Sequence, residues 1–336
     1  MLLVTTEEED PMKFATLDNG TRDGSLLLVS RDLTRAVAAA PIAGTLIDAL
    51  ERWDEVSGAL QARYEALNDG TVEEAFELVS GDLMACLPRT YQFVDGSAYL
   101  NHIELVRKAR GAEMPESFLT DPLAYQGVSD HFLAAHQDIA HASTDWGIDF
   151  EAEVGVITGD VPYRVKAADV ESHIRLLVLI NDVSLRALIP PELAKGFGFL
   201  VSKPPSALSA IAVTPDELGD AWKDGKVHLP MEVHWNGEWY GNPEAGDAMH
   251  FSFHQLVEHV AQTRPLRAGT LIGSGTISNP DRDKGSCCIA EQRMIEKIDT
   301  GAFQTPFMQF GDTVRIEMKQ DGASVFGVIE QKVVEA

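Results

Sequence analysis

The 336-residue chain is poor in cysteine and in basic residues, and it has no long apolar run. Its three cysteines are too few for a disulfide framework, so we expect a reducing, cytoplasmic location. Lys plus Arg number 27 against 52 Asp plus Glu, and the resulting net charge of −25 repels nucleic-acid phosphates and anionic membrane surfaces. No apolar run approaches the roughly 18 residues of a transmembrane helix. We therefore expect neither nucleic acid nor a membrane as a partner.

The length favours about two domains, because single cores rarely grow beyond roughly 250–300 residues. Residues 12–30 read as strand, turn, strand, and residues 45–67 have the apolar spacing of a helix. These elements predict a small N-terminal α+β domain over 1–88 and a larger domain over 89–336.

The first residues of the chain have no pattern of a secretory signal, so we expect none. The ten residues before Met12 fit no element, which makes Met12 a second candidate for the translation start beside Met1.

The larger domain is dominated by strand signals. Helical patterns occur at 98–110, where Ser97 is a candidate cap, and at 252–263, which Ser252 would cap. Strands without regular strand–helix alternation predict an α+β fold with a mixed sheet. The predicted strands are 151–158, 174–181, 208–213, 230–236, 270–277, 313–318 and 325–333.

A strand-like segment places two acids on one face. Glu151 and Glu153 are two positions apart, so their side chains point the same way in a strand. Ionised carboxylates about 6.6 Å apart repel by roughly 2.5 kcal/mol at an effective dielectric constant near 20. A solvated strand face absorbs that cost, and a divalent cation turns it into attraction. The pair alone favours the solvated face.

Asp182 shifts this balance toward a cation site. It closes the nearly continuous apolar run 174–181, which is typical of a strand buried on both faces. A buried acid needs a partner, whereas the alternative for Asn181-Asp182 is ordinary turn chemistry.

A histidine follows another acid at short range. Asp95 precedes the predicted helix and His102 would lie in the second turn of that helix. A histidine beside a metal site is suited to act as a general base near neutral pH. The alternative is an ordinary surface histidine.

Two further groups are weighed as zinc ligands. His250 and His254 have i, i+4 spacing with Glu258 one turn on, but the HExxH order is absent. Cys287-Cys288 has no second cysteine pair, and we predict that it is buried in a strand.

Two glycine-rich segments are candidates for ligand contact. The stretch 273–285 lacks the Gly-Lys-Ser/Thr order of a phosphate loop, but it can bring backbone and Thr276 close to a small ligand, with a tight hairpin as the alternative. Lys195 is a cation beside flexible glycine backbone and is uninformative alone.

Taken together, the order of these motifs resembles the fumarylacetoacetate hydrolase family from about Tyr91 to Lys332. The carriers of the resemblance are Asp95 with His102, Pro122-Leu-Ala-Tyr125-Gln-Gly127, Glu151-Ala-Glu153, Asn181-Asp182-Val-Ser-Leu-Arg186, Lys195-Gly-Phe-Gly198 and Gly275-Thr276-Ile-Ser278.

The resemblance implies a mixed β-roll catalytic domain, a homodimer, and bound Mg²⁺ or Ca²⁺. It implies four metal ligands: Asp95, Glu151, Glu153 and Asp182. Hard cations do prefer several carboxylate oxygens, in agreement with the pattern of the acids themselves.

The resemblance also implies roles for the remaining residues. His102 would be the base that activates water, and Glu291 would orient it. Arg186 and Lys195 would bind and polarise substrate oxygens, while Tyr125 and Thr276 would line the pocket.

The implied substrate is a small 1,3-diketo acid, of the fumarylacetoacetate or acylpyruvate type, whose C–C bond is hydrolysed, as in aromatic or tyrosine catabolism. Ile189 stands where fumarylacetoacetate-cleaving members have glutamine, and Ser97 stands where they have tyrosine. Loss of these polar contacts weakens the expectation of that particular diacid. The alternatives are hydration of a 2-keto-4-pentenoate, decarboxylation of oxaloacetate, and a non-catalytic protein stabilised by a cation.

Overall fold

The computed structural model describes residues 11–109, 111 and 113–336. The first ten residues and Arg110, on which predictions fell, lie outside them. The helices of the described part are α1 Leu46–Glu51, α2 Trp53–Asn68, α3 Leu100–Ala109, α4 Ile189–Leu193, α5 Phe253–Val260 and α6 Ile289–Thr300. Its strands are β1 Lys13–Leu17, β2 Ser25–Val29, β3 Arg35–Ala38, β4 Phe76–Glu77, β5 Phe93–Gly96, β6 Ala124–Gln126, β7 Ile139–His141, β8 Ile148–Asp149, β9 Ala152–Thr158, β10 Ile174–Asn181, β11 Ser184–Leu185, β12 Ala207–Leu208, β13 Ile211–Val213, β14 Trp222–Lys223, β15 Lys226–Val227, β16 Met231–Trp235, β17 Glu238–Gly241, β18 Leu271–Gly273, β19 Thr313–Gln320, β20 Ala323–Ser324 and β21 Ile329–Glu335.

A long mixed sheet forms the centre of the molecule. Its order is β4-β3-β2-β1-β13-β10-β9-β18-β5-β6, with β12 beside β10. The pair β18–β5 is parallel, whereas β9 is antiparallel to both β10 and β18. The N-terminal strands join this sheet through β1 and β13, so it continues across residue 88. Helices interspersed with mixed sheets confirm the predicted α+β class.

A second sheet covers part of the first. Its order is β17-β16-β19-β21-β7, with β20 beside β19. Strands β9 and β10 of the main sheet are rich in aliphatic residues and are buried along almost their whole length. Strands buried on both faces have this continuous apolar pattern. Acids at these strands or their ends therefore lie inside the protein.

Two predicted helices differ in detail from the structure. The helix expected over 45–67 is broken at Arg52, whose φ of −118° and ψ of 25° are not helical. The helix expected from residue 98 begins at Leu100, and Ser97 does not cap it. The N–H groups of Ser97 and Ala98 donate to the carbonyls of Leu123 and Ser274, and these bonds keep the chain extended. His102 consequently lies in the first turn.

The strand predicted over 208–213 is divided into β12 and β13, and the strand predicted over 270–277 ends at Gly273. Helix α6 was not predicted. No helix in the described part of the chain combines the length and the apolar character needed to cross a bilayer.

Candidate metal centre and active site

Three buried carboxylates meet at the end of the main sheet. Asp95 lies on β5, Glu153 lies on β9, and Asp182 directly follows β10. Strand β18 lies between β5 and β9, and its Gly273 pairs with Asp95 on one side. One oxygen from each of the three side chains lies within 4.8 Å of the others. We call these residues the carboxylate triad.

The triad fits a divalent cation. Both carboxylate oxygens of Glu153 are buried without a hydrogen-bond partner in the described structure, a costly arrangement unless an ion pairs with them. A Cβ on Gly273 would fall 2.3 Å from Asp95 Oδ1 and 3.1 Å from Glu153 Oε2, so only glycine leaves this space free. Oxygen-only donors with several charges are typical of Mg²⁺ or Ca²⁺ sites.

The electrostatics of the triad support the same fit. Burial and the neighbouring charge of Asp182 raise the pKa of Asp95 to about 8. Burial, followed by the charges of Asp95 and Asp182, raises the pKa of Glu153 well above its ordinary value. Close like charges in a buried site make ionisation unfavourable, and a cation bound among them would reverse this effect.

Asp182 also has donors around it. Tyr125 Oη on β6 donates to Asp182 Oδ2 at 2.7 Å, and Ser206 Oγ donates to Asp182 Oδ1 at 2.6 Å. The ammonium group of Lys203 donates to the same carboxylate and lies over the Tyr125 ring, 5.1 Å from its centre. Tyr125, predicted to line the pocket, is therefore brought to the triad.

Glu151, predicted as a fourth ligand, lies outside the triad in this structure. Its Oε1 accepts from Ser184 Oγ at 2.5 Å and from Lys203 Nζ at 2.8 Å, and it lies 3.1 Å from Arg186 Nη2. Burial alone would raise the pKa of Glu151. The cations Arg186 and Lys203, with His102, outweigh burial and hold that pKa below its ordinary value. Its role as a metal ligand stays a prediction.

The predicted lysine is not the one that the structure brings to the site. Lys195 is exposed in the turn after α4, and it makes no ion pair within the described residues. Lys203 is buried instead, and Asp182 and Glu151 outweigh burial and raise its pKa. In the sequence, the glycines around Lys195 suggested ligand contact. The pattern that could have identified Lys203 is its position just before the apolar run that starts at Ala207.

Arg186, for which the sequence predicts substrate binding, lies beside the acids. Its Nε donates to Asp149 Oδ2 at 2.8 Å, and its ion pair with Glu151 orients the other end of the guanidinium. Asp149 was missed by sequence reasoning, although it continues the two-residue spacing of Glu151 and Glu153. These acids differ in their partners, which are cations for Asp149 and Glu151 and other carboxylates for Glu153.

His102 and Glu291 form the predicted pair. His102 Nδ1 lies 3.1 Å from Glu291 Oε2, and only 18% of the histidine side chain and 1% of the glutamate side chain are exposed. Glu291 lies in the first turn of α6, where its N–H donates to Cys288 Sγ at 3.3 Å. Cys288 is buried as predicted, but it caps a helix rather than lying within a strand.

The loop after β18 closes the site. The N–H of Gly275 donates to Asp95 Oδ1 at 3.0 Å, and the hydroxyl of Thr276 donates to Glu151. Gly275 has a φ of +75°, and a Cβ there would fall 2.4 Å from the carbonyl of Gly96. The loop thus brings backbone and Thr276 against the acids, while its expected contact with a small ligand stays a prediction.

The alternative zinc ligands have other partners. His250 lies before α5 rather than on it and contacts the carbonyl of Leu119 at 2.9 Å. His254 contacts Glu171 at 2.5 Å, and Glu258 accepts from Lys166 at 3.0 Å. The structure therefore does not bring the three together.

Comparisons with known proteins agree with this architecture. Residues 92–334 match the family model for the fumarylacetoacetate hydrolase C-terminal region, and residues 12–89 match the model for fumarylacetoacetase N-terminal domain 2. A probable 2-hydroxyhepta-2,4-diene-1,7-dioate isomerase from Mycobacterium abscessus has the same fold, with a TM-score of 0.67 at 17% identity over 97% of this chain and 98% of that one. A maleylpyruvate hydrolase from Sphingobium sp. SYK-6 has a TM-score of 0.64 at 15% identity over 97% and 100% of the two chains.

Curated relatives carry different activities. Oxaloacetate tautomerase YisK of Bacillus subtilis is 26% identical over 70% of this chain and 76% of its own length. The fumarylacetoacetase of Caenorhabditis elegans is 29% identical over 56% of this chain, which spans about half (53%) of that enzyme. Members of the family are hydrolases, isomerases and tautomerases. The family match over most of the chain leads to one conclusion: this protein belongs to the fumarylacetoacetate hydrolase family, and its fold is the two-part fold of that family.

Proposed function

We propose that the protein is a divalent-cation-dependent hydrolase that cleaves the C–C bond of a small 1,3-diketo acid of the acylpyruvate or fumarylacetoacetate type. The observation that carries this proposal is the His102–Glu291 pair, whose histidine lies near enough to Glu151 to lower the pKa of that carboxyl. Lys203 in turn joins Glu151 to Asp182 of the carboxylate triad. A purely structural cation site has no use for an oriented base. The pairing of base and cation site is what hydrolysis requires.

The carboxylate triad would hold Mg²⁺ or Ca²⁺, with Glu151 as a further candidate ligand. When bound, such an ion supplies a Lewis acid that orients and polarises the oxygens of a chelating keto acid. The three residues of the triad come from three different strands or strand ends, so the sheet sets their spacing. Their burial keeps competing water away from the carboxylates.

Glu291 prepares His102 to accept a proton. An ionised carboxylate only accepts hydrogen bonds, so the contact with Glu291 favours the tautomer with hydrogen on Nδ1. Nε2 is then the basic nitrogen, and Glu291 stabilises the imidazolium that forms. His102 takes a proton from water while the water oxygen bonds to the carbonyl carbon of the acyl group.

Collapse of this adduct breaks the C–C bond. The bonding electron pair moves to the methylene carbon of the leaving keto acid, as its enolate, and the proton held on His102 is returned to that carbon. The products are a carboxylic acid and a keto acid, which is a 2-keto acid from an acylpyruvate and a 3-keto acid from fumarylacetoacetate. Together the two products contain the atoms of the substrate plus one water.

Lys203 and Arg186 are suited to the negative charge that develops on the enolate. Lys203 is buried and Arg186 is partly buried, and both are hydrogen-bonded or ion-paired to acids that fix their positions. Preorganised cations in a buried site stabilise developing charge strongly. We assign to Lys203 the role that the sequence resemblance implied for exposed Lys195. Tyr125, which is bonded to Asp182, and Thr276, which is bonded to Glu151, would line the substrate pocket.

Tautomerisation of an oxaloacetate-type keto acid is the second candidate, favoured by the match to the tautomerase over 70% of this chain. In that reaction His102 would move a proton between carbon and oxygen, without adding water. Hydration of a 2-keto-4-pentenoate and decarboxylation of oxaloacetate would use the same acids.

A homodimer is proposed from the family resemblance. Exposed apolar side chains recur from the end of α4 to Lys203, as expected of a surface that another copy covers; these are Leu193, Phe197, Leu200 and Val201. Light scattering coupled to size exclusion tests this proposal, and a monomeric mass across micromolar concentrations would contradict it.

Product analysis tests the function. Proton NMR would follow acylpyruvates, fumarylacetoacetate, oxaloacetate and 2-keto-4-pentenoate with wild type, His102→Gln and the control His131→Gln, whose histidine is 58% exposed at the surface. We expect cleavage of a diketo acid by wild type and the control, and at least a roughly 100-fold loss with His102→Gln. Exchange of enol and keto forms without cleavage would favour the tautomerase, and cleavage unaffected by His102→Gln would contradict the assigned base.

A further inference from the structure

Asp149 joins two parts of the candidate site that are far apart in sequence. The side chain is fully buried. Its Oδ1 accepts from the N–H of Ile289 at 2.8 Å, and its Oδ2 accepts from the N–H of Ala290 at 2.9 Å and from Arg186 Nε at 2.8 Å. Each oxygen therefore has a donor, and one carboxylate holds a side chain and a helix terminus together.

The strand end that carries Asp149 is well anchored. Strand β8 pairs with β11 through Asp149 and Ser184, two residues before Arg186. The N–H of Arg186 donates to the carbonyl of Gly147, which adds a backbone link between the same two segments. These backbone contacts hold the carboxylate of Asp149 in place, so the groups that donate to it are held in place as well.

The helix that binds this carboxylate is the one that carries Glu291. Ile289 and Ala290 are the first two residues of α6, and Glu291 is the third. The first N–H groups of a helix have no partner within it, and a carboxylate there satisfies them and favours the helix dipole. A shift of this turn would move Glu291 relative to His102.

We infer that Asp149 is a positioning residue with two contacts that matter for the site. It fixes the guanidinium of Arg186, and it fixes the first turn of α6 and thereby the Glu291–His102 pair. This inference rests on the proposed function, since positioning has meaning only for a base that acts. Asp149 does not belong to the carboxylate triad, so its effect should reach the reaction through Glu291 and Arg186, with the triad itself unchanged. Partners of this kind typically change activity by about 10–100-fold.

The substitution Asp149→Asn tests the inference, because its amide offers one acceptor and places two donors against Arg186 and the helix N–H groups. Asp149→Ser is a second variant that removes the clash. The matched control is Glu317→Gln, which also breaks a buried ion-paired acid but lies on β19 in the second sheet. All rates are normalised to the folded fraction from circular dichroism.

We expect both Asp149 variants to lower kcat by about 10–100-fold, with the Mg²⁺ dissociation constant from calorimetry within about threefold of wild type. The control should keep its kcat within about threefold. In the double variant Asp149→Asn, Glu291→Gln, the loss of kcat should be smaller than the product of the two single losses, because Glu291→Gln already removes the part of the Asp149 effect that acts through Glu291, whereas the part that acts through Arg186 remains. Multiplicative losses, or losses that match the loss of folded protein, would overturn the inference.

A readout without turnover separates this inference from the proposed function. Nitrogen-15 NMR of the His102 ring should show a changed Nδ1 resonance in Asp149→Asn and an unchanged one in Glu317→Gln. If wild type cleaves no keto acid while this difference appears, the proposed function fails and the positioning of His102 stands. If the His102 resonance is the same in all three proteins, the positioning role fails whatever the activity.

Discussion

Replacement of Glu153 by glutamine should have opposite effects on stability with and without a divalent cation. In chelator, the substitution removes a buried charge that faces Asp95 and Asp182 and gives them an amide donor. With Mg²⁺ or Ca²⁺ present, it removes a charged ligand. We therefore expect Glu153→Gln to be more stable than wild type in EDTA and less stable than wild type in saturating cation.

The spacing of the triad sets the magnitude of this effect. Two ionised carboxylates 4.8 Å apart repel by about 3.5 kcal/mol at an effective dielectric constant near 20. Burial and the neighbouring charges raise the pKa of Glu153, so protonation already relieves part of this repulsion. We expect a gain of about 1–3 kcal/mol in chelator, which corresponds to a rise of about 1–4 °C in Tm for a chain of this length. Cation at 100 times its Kd should stabilise wild type by about 2.7 kcal/mol.

Calorimetric melting of both proteins in EDTA and in a Mg²⁺ or Ca²⁺ series measures these effects. Glu317→Gln is the control, because this buried glutamate is paired with Arg315 and Lys319 rather than with acids. The control should lose stability equally in both buffers. A lower Tm for Glu153→Gln in EDTA, or a cation-dependent rise equal to that of wild type, would refute the assignment of the triad as a cation site.

Further predictions concern Lys203, Gly273 and the half-buried His141. Lys203→Met should lower the unfolding free energy by about 3–5 kcal/mol and kcat by at least roughly 100-fold, because it leaves buried acids unpaired. Lys195→Met should change kcat less than about threefold. Equal effects of the two substitutions on denaturant melts and on rates would contradict the assignment of Lys203 as the lysine of the site. Gly273→Ala should weaken cation binding at least about 10-fold by calorimetry, since its Cβ would fall 2.3 Å from Asp95 Oδ1; unchanged affinity would place the cation elsewhere. Burial lowers the pKa of His141, so the unfolded chain binds the additional proton and stability falls as pH drops below the unfolded value near 6.5. His141→Gln should flatten urea-melt stability between about pH 6.5 and 5, and an unchanged slope would rule out His141 as its source.

The acids of the site could be predicted because their signal is local. Alternation on a strand face and an acid closing a buried strand are properties of short segments, and Glu153 and Asp182 meet as those patterns indicate. The partner of each acid is not a local property. The donors around Glu151 come from 33, 52 and 125 residues away, so its separation from the triad could not be read from the strand.

Helix α6 and the lysine of the site show two further reasons why parts of the structure could not be predicted from the sequence. The residue before α6 is Cys288, whose sulfur accepts the first-turn N–H, whereas the usual cap signals are Ser, Thr, Asp or Asn. Glycines beside Lys195 indicate flexible backbone but not direction, and in the structure this lysine points to solvent. Lys203 is delivered by a loop whose path depends on Glu192, which binds the N–H groups of Leu200 to Ser202.

The fate of the oxygen of water tests hydrolysis at this site most directly. The protein, loaded with Mg²⁺, is given a diketo acid from the panel in ¹⁸O-labelled water, and the products are analysed by mass spectrometry within a single turnover. We expect one ¹⁸O in the released carboxylic acid, with this labelled product lost in EDTA and in His102→Gln and retained in His131→Gln. Release of keto acid that is equally fast in EDTA, or turnover that only interconverts enol and keto forms without labelled acid, would contradict metal-dependent hydrolysis.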